Sequence, residues 1–184
     1  MKKNNWLIIF IVVCGFSLSA CNDEIGKSQQ QANEFVLTSS DMVDGGNLPV
    51  TYTCDGESVN PPLSWSGAPP STQSYALIMH HNAPDGVHWY WTMYNIGGDA
   101  THVNSGQTLG LLGTNSVNDL KAYAPPCSKG PGEKSYTYTL YALSAPVVLN
   151  ENTRVDRATL LAAMQNITLG SAQLSVSYER SNKS

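Results

Sequence analysis

The 184 residues carry ten basic and fourteen acidic side chains, a formal net charge of −4. That length fits one ordinary domain. An acidic chain without a basic stripe argues against a nucleic-acid partner.

The chain opens MKKNNWLIIFIVVCGFSLSAC. Lys2 and Lys3 form a basic n-region, and the apolar run from Trp6 to Phe16 has the length of a signal-peptide h-region. It is too short to span a bilayer, which takes ~20 apolar residues. Its end, Leu18-Ser19-Ala20-Cys21, resembles the lipobox of bacterial lipoproteins, in which the cysteine receives a lipid through its sulfur. The alternative is an ordinary secretory signal cut after Ala20, which would leave a lone exposed thiol in an oxidising compartment. The expectation is therefore residues 1–20 as signal peptide and Cys21 as a lipidated anchor, with acyl chains holding the protein on the membrane without spanning it. Asn22 follows that cysteine, and Asp23 comes one place later than the aspartate that retains lipoproteins in the inner membrane. That favours the outer membrane, with the domain facing the periplasm.

Residues 22–34, NDEIGKSQQQANE, are polar and read with Cys21 as a flexible tether. The folded domain is expected over 35–184. Removing the signal leaves 164 of the 184 residues and eight basic against fourteen acidic side chains, a net charge of −6. Cys54 and Cys127 are then the cysteines left, in a compartment that favours disulfides. The simplest reading is one Cys54–Cys127 bridge closing a loop of about 70 residues, which stabilises by ~4 kcal/mol on the loop-entropy model. A zinc site would want two further soft ligands in CxxC or CxxH spacing, which the sequence lacks.

Strand signals recur along the domain: FVLTSSDM (35–42), YALIMHH (75–81), WYWTMYNI (89–96), YTYTLYAL (136–143) and AQLSVSYER (172–180). Turn formers separate them, among them Asn60-Pro61-Pro62, Ala83-Pro84-Asp85-Gly86 and Gly97-Gly98-Asp99. In the fourth run Tyr136, Tyr138 and Leu140 fall on one face, and Thr137, Thr139 and Tyr141 on the other. One helix is expected, over 153–166, with Val155, Leu160, Leu161 and Met164 on a stripe and Thr153 as cap. The class is all-β with a late helix: two antiparallel sheets packed face to face.

Several stretches in order resemble one family. DGGNLPVTYTCDGESVNPPLSWSGAPPSTQSYALIM (44–79), NAP (82–84), WTMYNI (91–96), YAPPCSKGPGEKSYTYTLYAL (123–143) and AAMQNITLGSAQLSVSYER (162–180) are similar to the phosphatidylethanolamine-binding proteins, in their bacterial Raf kinase inhibitor-like branch. The resemblance runs from Phe35 to Arg180. It implies a β-sandwich of a large and a small antiparallel sheet, with a small pocket that takes phosphate-bearing head groups, acetate or similar anions. Cys54 and Cys127 both fit that branch, which adds to the disulfide reading.

Carried over position by position, the three groups on which the family pocket rests fall on His80, Tyr90 and Lys134. None is the family residue: an acidic acceptor becomes an imidazole, one histidine a phenol and another an ammonium. Such a pocket has lost an acceptor and gained donors. His80, Tyr90 and Lys134 would face an anion, with Lys134 supplying fixed positive charge and Tyr136 a hydroxyl. Retained anion binding and a decayed pocket whose residues merely fill the mouth both stay open, since fold analogy does not decide a site.

Strand alternation puts His80 and His81 on opposite faces, His88 with Tyr90 on one face, and Trp89 with Trp91 on the other. His81 is expected to be exposed or packed on the turn, and the tryptophans to be core. The ligand types allow an adventitious zinc or copper at His80 and His88, but no structural metal or cofactor is expected. No Gly-x-Ser-x-Gly elbow and no phosphate loop is present, so no enzymatic activity is expected. The partners implied are a small anion or phospholipid head group, the membrane through the N-terminal lipid, and an envelope protein if the domain is an interaction module.

Overall fold

The computed structural model describes residues 34–128 and 131–180. The signal peptide, Cys21 and nearly all of the tether lie outside the described residues. The elements run β1 (Val36–Thr38), β2 (Gly46–Asn47), a 3-10 turn (Val50–Tyr52), β3 (Leu63–Ser66), β4 (Ser74–Ala83), β5 (Gly86–Gly97), β6 (His102–Val103), β7 (Leu111–Leu112), β8 (Lys134–Leu143), α1 (Arg157–Met164) and β9 (Thr168–Tyr178). They form a small sheet in the order β1-β3-β6 and a large one in the order β2-β9-β8-β4-β5-β7. Pairing is antiparallel except for the short parallel β2–β9 contact. The all-β sandwich expected from the sequence is the fold.

Alternation decides which side chains enter the space between the sheets. Leu77 and Met79 of β4, Tyr136, Tyr138 and Leu140 of β8, and Leu174 and Val176 of β9 point inward. There they meet Leu37, Leu63, Trp65 and Val103 of the small sheet. The alternate positions are not left to water. Ala76, Ile78 and Leu143 pack under Val147, Val155, Leu160 and Met164, so α1 and the segment before it cover the outer face. A central strand covered on both sides reads as an unbroken apolar run, which is why residues 74–79 of β4 are all buried.

The helix begins later than the sequence stripe suggests. Val155 stays extended and its carbonyl accepts from the Thr114 amide at 2.7 Å, so the chain cannot coil there. Asp156, not Thr153, is the N-cap, accepting from the Thr159 amide at 2.9 Å. The first strand is also shorter than its apolar run: Ser39 leaves the ladder, its hydroxyl donating to the Pro62 carbonyl at 2.7 Å.

Candidate functional site

The β4–β5 hairpin turns at Pro84-Asp85, with Ala83 facing Gly86 across it. Gly86 has φ +138°, a conformation that a side chain would strain. From this turn the register pairs Asn82 with Val87, His81 with His88 and His80 with Trp89, and then Met79 with Trp91. One β4 step is thus matched by two on β5, a bulge whose extra residue is Tyr90. The bulge lets both Trp91 and its neighbour Tyr90 reach the inter-sheet face: Trp91 is 1% exposed in the core, and Tyr90 packs edge-on against Tyr136 at 5.2 Å between ring centroids.

Two readings therefore change, one from simple alternation and one from the family pattern. Trp89 and Trp91 do not share a face, because Trp89 pairs with His80 on the outer side and its indole nitrogen donates to the Thr114 carbonyl at 2.8 Å. His80 does not join Tyr90. It pairs with Thr137 of β8, on the face opposite Tyr136, and its Nδ1 is buried without a partner among the described residues. Burial, with the nearby Arg157 guanidinium and His81 behind it, pushes the His80 imidazole below its ordinary value of 6.5.

The unfolded chain thus takes up a proton that folded His80 resists, and stability falls as pH drops below about 6.5. Replacing His80 by Leu is expected to flatten that loss. Urea midpoints of the two proteins compared between roughly pH 8 and pH 5 would check it. Parallel curves would show that His80 does not contribute.

The histidine that reaches the inner side is His81, whose ring stacks obliquely on Tyr136 at 5.5 Å. It helps line a cavity of about 480 Å³ at the turn end of the sandwich, together with Asp85, His88, Tyr90, Ser116, Val117, Pro125, Cys127, Ser128 and Lys134. Tyr90 and Lys134, singled out in the sequence, are brought together here. Tyr136 is not on the wall. It lies beneath it, with 0% exposure and a buried hydroxyl that has no hydrogen-bond partner among the described residues. Tyr90 and Tyr136 shift each other's titration without meeting hydrogen-bond geometry; burial is the main cause that raises both phenols.

The far wall is a loop rather than a strand. Past the short β7 contact, the edge of β5 is completed by the Ser116 and Ala124 amides, which donate to the carbonyls of Trp89 at 2.8 Å and Tyr90 at 2.7 Å. Buried Asn115 braces that loop. Its side-chain nitrogen donates to the Leu120 carbonyl at 2.9 Å, and its oxygen accepts from the amides of Val117 and Asn118. The loop then runs to Cys127, which is bridged to Cys54. Beside the bridge, Arg180 pairs with Asp55 at 2.8 Å, and the Tyr178 hydroxyl donates to the same carboxylate at 2.5 Å.

Two wall residues escaped the sequence reading. Ser128 is 5% exposed and its hydroxyl has no partner among the described residues. Asp85 is held by His88 Nε2 at 3.1 Å, and that contact is the main cause holding its carboxyl below the ordinary range. The cavity thus offers an ammonium, two hydroxyls and two imidazoles, with one carboxylate at its rim tied up by an imidazole. That set can hold an anion. Among the described residues no three His, Cys, Asp or Glu side chains are grouped to hold a metal ion.

A family model described as phosphatidylethanolamine-binding protein matches residues 38–179. A UPF0098 protein of Methanothermobacter thermautotrophicus is 36% identical over 144 residues, 74% of this chain and 93% of that protein. LppC of Mycobacterium tuberculosis, which carries a lipoprotein name, is 28% identical over 152 residues, covering 80% of this chain and 74% of its own. The crystal structure of CT736 from Chlamydia trachomatis, a homologue of phosphatidylethanolamine-binding proteins, superposes with a TM-score of 0.74 at 30% identity, covering 81% of this chain and 99% of that one. With the ordered motifs and the two-sheet sandwich, these matches show that the chain belongs to the phosphatidylethanolamine-binding protein family.

Proposed function

We propose that this protein is a lipid-anchored, periplasm-facing binding domain without enzymatic activity, holding a small anion or phosphorylated head group in the hairpin-end cavity. The observation that carries the reading is the convergence on one 480 Å³ space of Lys134, Tyr90 and the Ser128 hydroxyl, which has no partner among the described residues. A buried hydroxyl without a partner costs about 1–3 kcal/mol, and an anion oxygen at Ser128 removes that cost. Small-molecule sites have this form, a concave space with a few convergent polar groups. The lipobox-like Leu18-Ser19-Ala20-Cys21 and the resemblance to LppC support the anchor.

Calorimetric titration of the purified domain with inorganic phosphate tests the reading, with Lys134→Ala as the comparison. Loss of the ammonium is expected to weaken binding at least about tenfold, the scale of one hydrogen bond to a charged group. Binding by neither protein would reject the proposal, and equal binding by both would remove Lys134 from the site.

A second reading, an interaction module for an envelope protein, draws on Val117 and Leu120, apolar side chains 54% and 58% exposed on the loop that walls the cavity. Photo-cross-linking from position 117 in intact cells would trap one dominant protein if it holds. Recovery of bulk neighbours alone would count against it.

A further inference from the structure

We propose that the cavity selects anions that carry a hydroxyl proton, such as hydrogen phosphate, over fully deprotonated tetrahedral anions such as sulfate, with His81 Nε2 as the discriminating acceptor. The inference rests on the anion-binding reading and narrows its ligand class.

One hydrogen bond decides the tautomer of this ring. His81 Nδ1 lies 2.7 Å from the Ser135 carbonyl oxygen. A carbonyl oxygen only accepts, so Nδ1 must carry the hydrogen, and the neutral ring then bears its lone pair on Nε2. The ring is held in this orientation. Its face lies on Tyr136, centroids 5.5 Å apart, and a half-turn would replace the Nδ1 donor by the Cδ2–H group and lose the bond to the Ser135 carbonyl. Nε2 has no partner among the described residues, and the ring lines the cavity. An acceptor is therefore fixed in a wall that also presents donors, the Lys134 ammonium and the hydroxyls of Tyr90 and Ser128.

The second acceptor points the same way. Asp85 Oδ1 is engaged by His88, which leaves the other carboxylate oxygen at the rim. A ligand must satisfy the donors with lone pairs and at least one acceptor with a hydrogen. Hydrogen phosphate does both. Sulfate brings lone pairs only and meets Nε2 lone pair to lone pair, and a phosphodiester has the same defect. The rejection works through an acceptor that the wrong ligand leaves unpaired. It also separates the two sources of a phosphoryl group, because a free phosphate or protonated monoester carries the hydrogen and a diester in a lipid head group does not.

The experiment is calorimetric titration of the domain with inorganic phosphate, sulfate and dimethyl phosphate near pH ~8, where phosphate and sulfate are both dianions and total charge is matched. Phosphate is expected to bind about tenfold more tightly than sulfate or more, the factor that corresponds to one unmet hydrogen bond. Dimethyl phosphate should fall with sulfate or below it. His81→Phe keeps a ring on Tyr136 and removes the acceptor, so the preference should vanish: phosphate weakens, and sulfate, no longer facing an unpaired lone pair, binds at least as tightly as to the wild type. Equal wild-type affinity for phosphate and sulfate overturns the selectivity and leaves anion binding standing, whether or not the variant folds. Absence of binding by all three anions overturns both.

Discussion

Replacing Cys54 and Cys127 together by serine, or reducing their bridge, is expected to lower unfolding stability by about 4 kcal/mol. The bridge joins residues 73 apart in sequence, with Cα atoms 5.2 Å apart. Its absence lets the unfolded chain explore conformations that the closed loop forbids. For a domain of this size the loss corresponds to a melting temperature lower by roughly 10 °C. Fewer bonds hold the same two segments otherwise. The Cys54 amide donates to the Pro126 carbonyl at 3.1 Å, and the Tyr123 hydroxyl donates to the Tyr52 carbonyl at 2.6 Å. Those bonds keep the fold reachable, so the expected result is a weakened domain rather than an unfolded one. Denaturant curves with and without a reductant give the number. A shift below about 1 kcal/mol would mean that the unfolded chain keeps these segments together, or that the bridge strains the native state. The bridge also shapes the cavity. Cys127 and Ser128 sit on its wall, so reduction is expected to weaken phosphate binding as well.

Truncating Tyr136 to alanine is expected to cost about 3–5 kcal/mol, the range for a fully buried aromatic. The ring is 0% exposed and supports two cavity residues, His81 at 5.5 Å and Tyr90 at 5.2 Å. Its removal leaves a void that rigid strands on either side cannot close. Tyr136→Phe keeps the ring and deletes only a buried hydroxyl that has no hydrogen-bond partner among the described residues. Stability should therefore stay within about 0.5 kcal/mol of wild type or rise, because the unfolded state loses a hydrated group that the native state does not use. Phosphate affinity should be unchanged. A Tyr136→Phe variant that loses binding would show that this hydroxyl reaches the ligand, as the family pattern in the sequence implies.

That difference over Tyr136 illustrates what a sequence can and cannot show. Alternation in YTYTLYAL places the residue on the inward face correctly, since period two survives wherever a ladder is regular. It cannot say how deep along the face the open space begins. The hairpin carries the sharper lesson. Counting back from a two-residue turn at Pro84-Asp85 pairs His81 with His88, and the shared face of His88 and Tyr90 then puts His81 on the cavity side. Carrying the family pattern over by alignment instead selects His80, one residue away, and a one-residue step in a strand reverses the face. The bulge at Tyr90 was not legible, because nothing in WYWTMYNI marks the extra residue. Ser128 escaped for a different reason. A serine after a cysteine in a proline-rich loop has no periodicity to place it, and only the closed loop shows its hydroxyl buried without a partner.

Anion binding requires that one cavity gather these groups around negative charge. Crystals of the domain soaked in inorganic phosphate test it most directly. Tetrahedral density is expected within hydrogen-bond distance of Lys134 Nζ, Tyr90 Oη and Ser128 Oγ, with His81 Nε2 beside one phosphate oxygen. Water alone in that cavity at saturating phosphate, or phosphate bound only elsewhere on the surface, would contradict it.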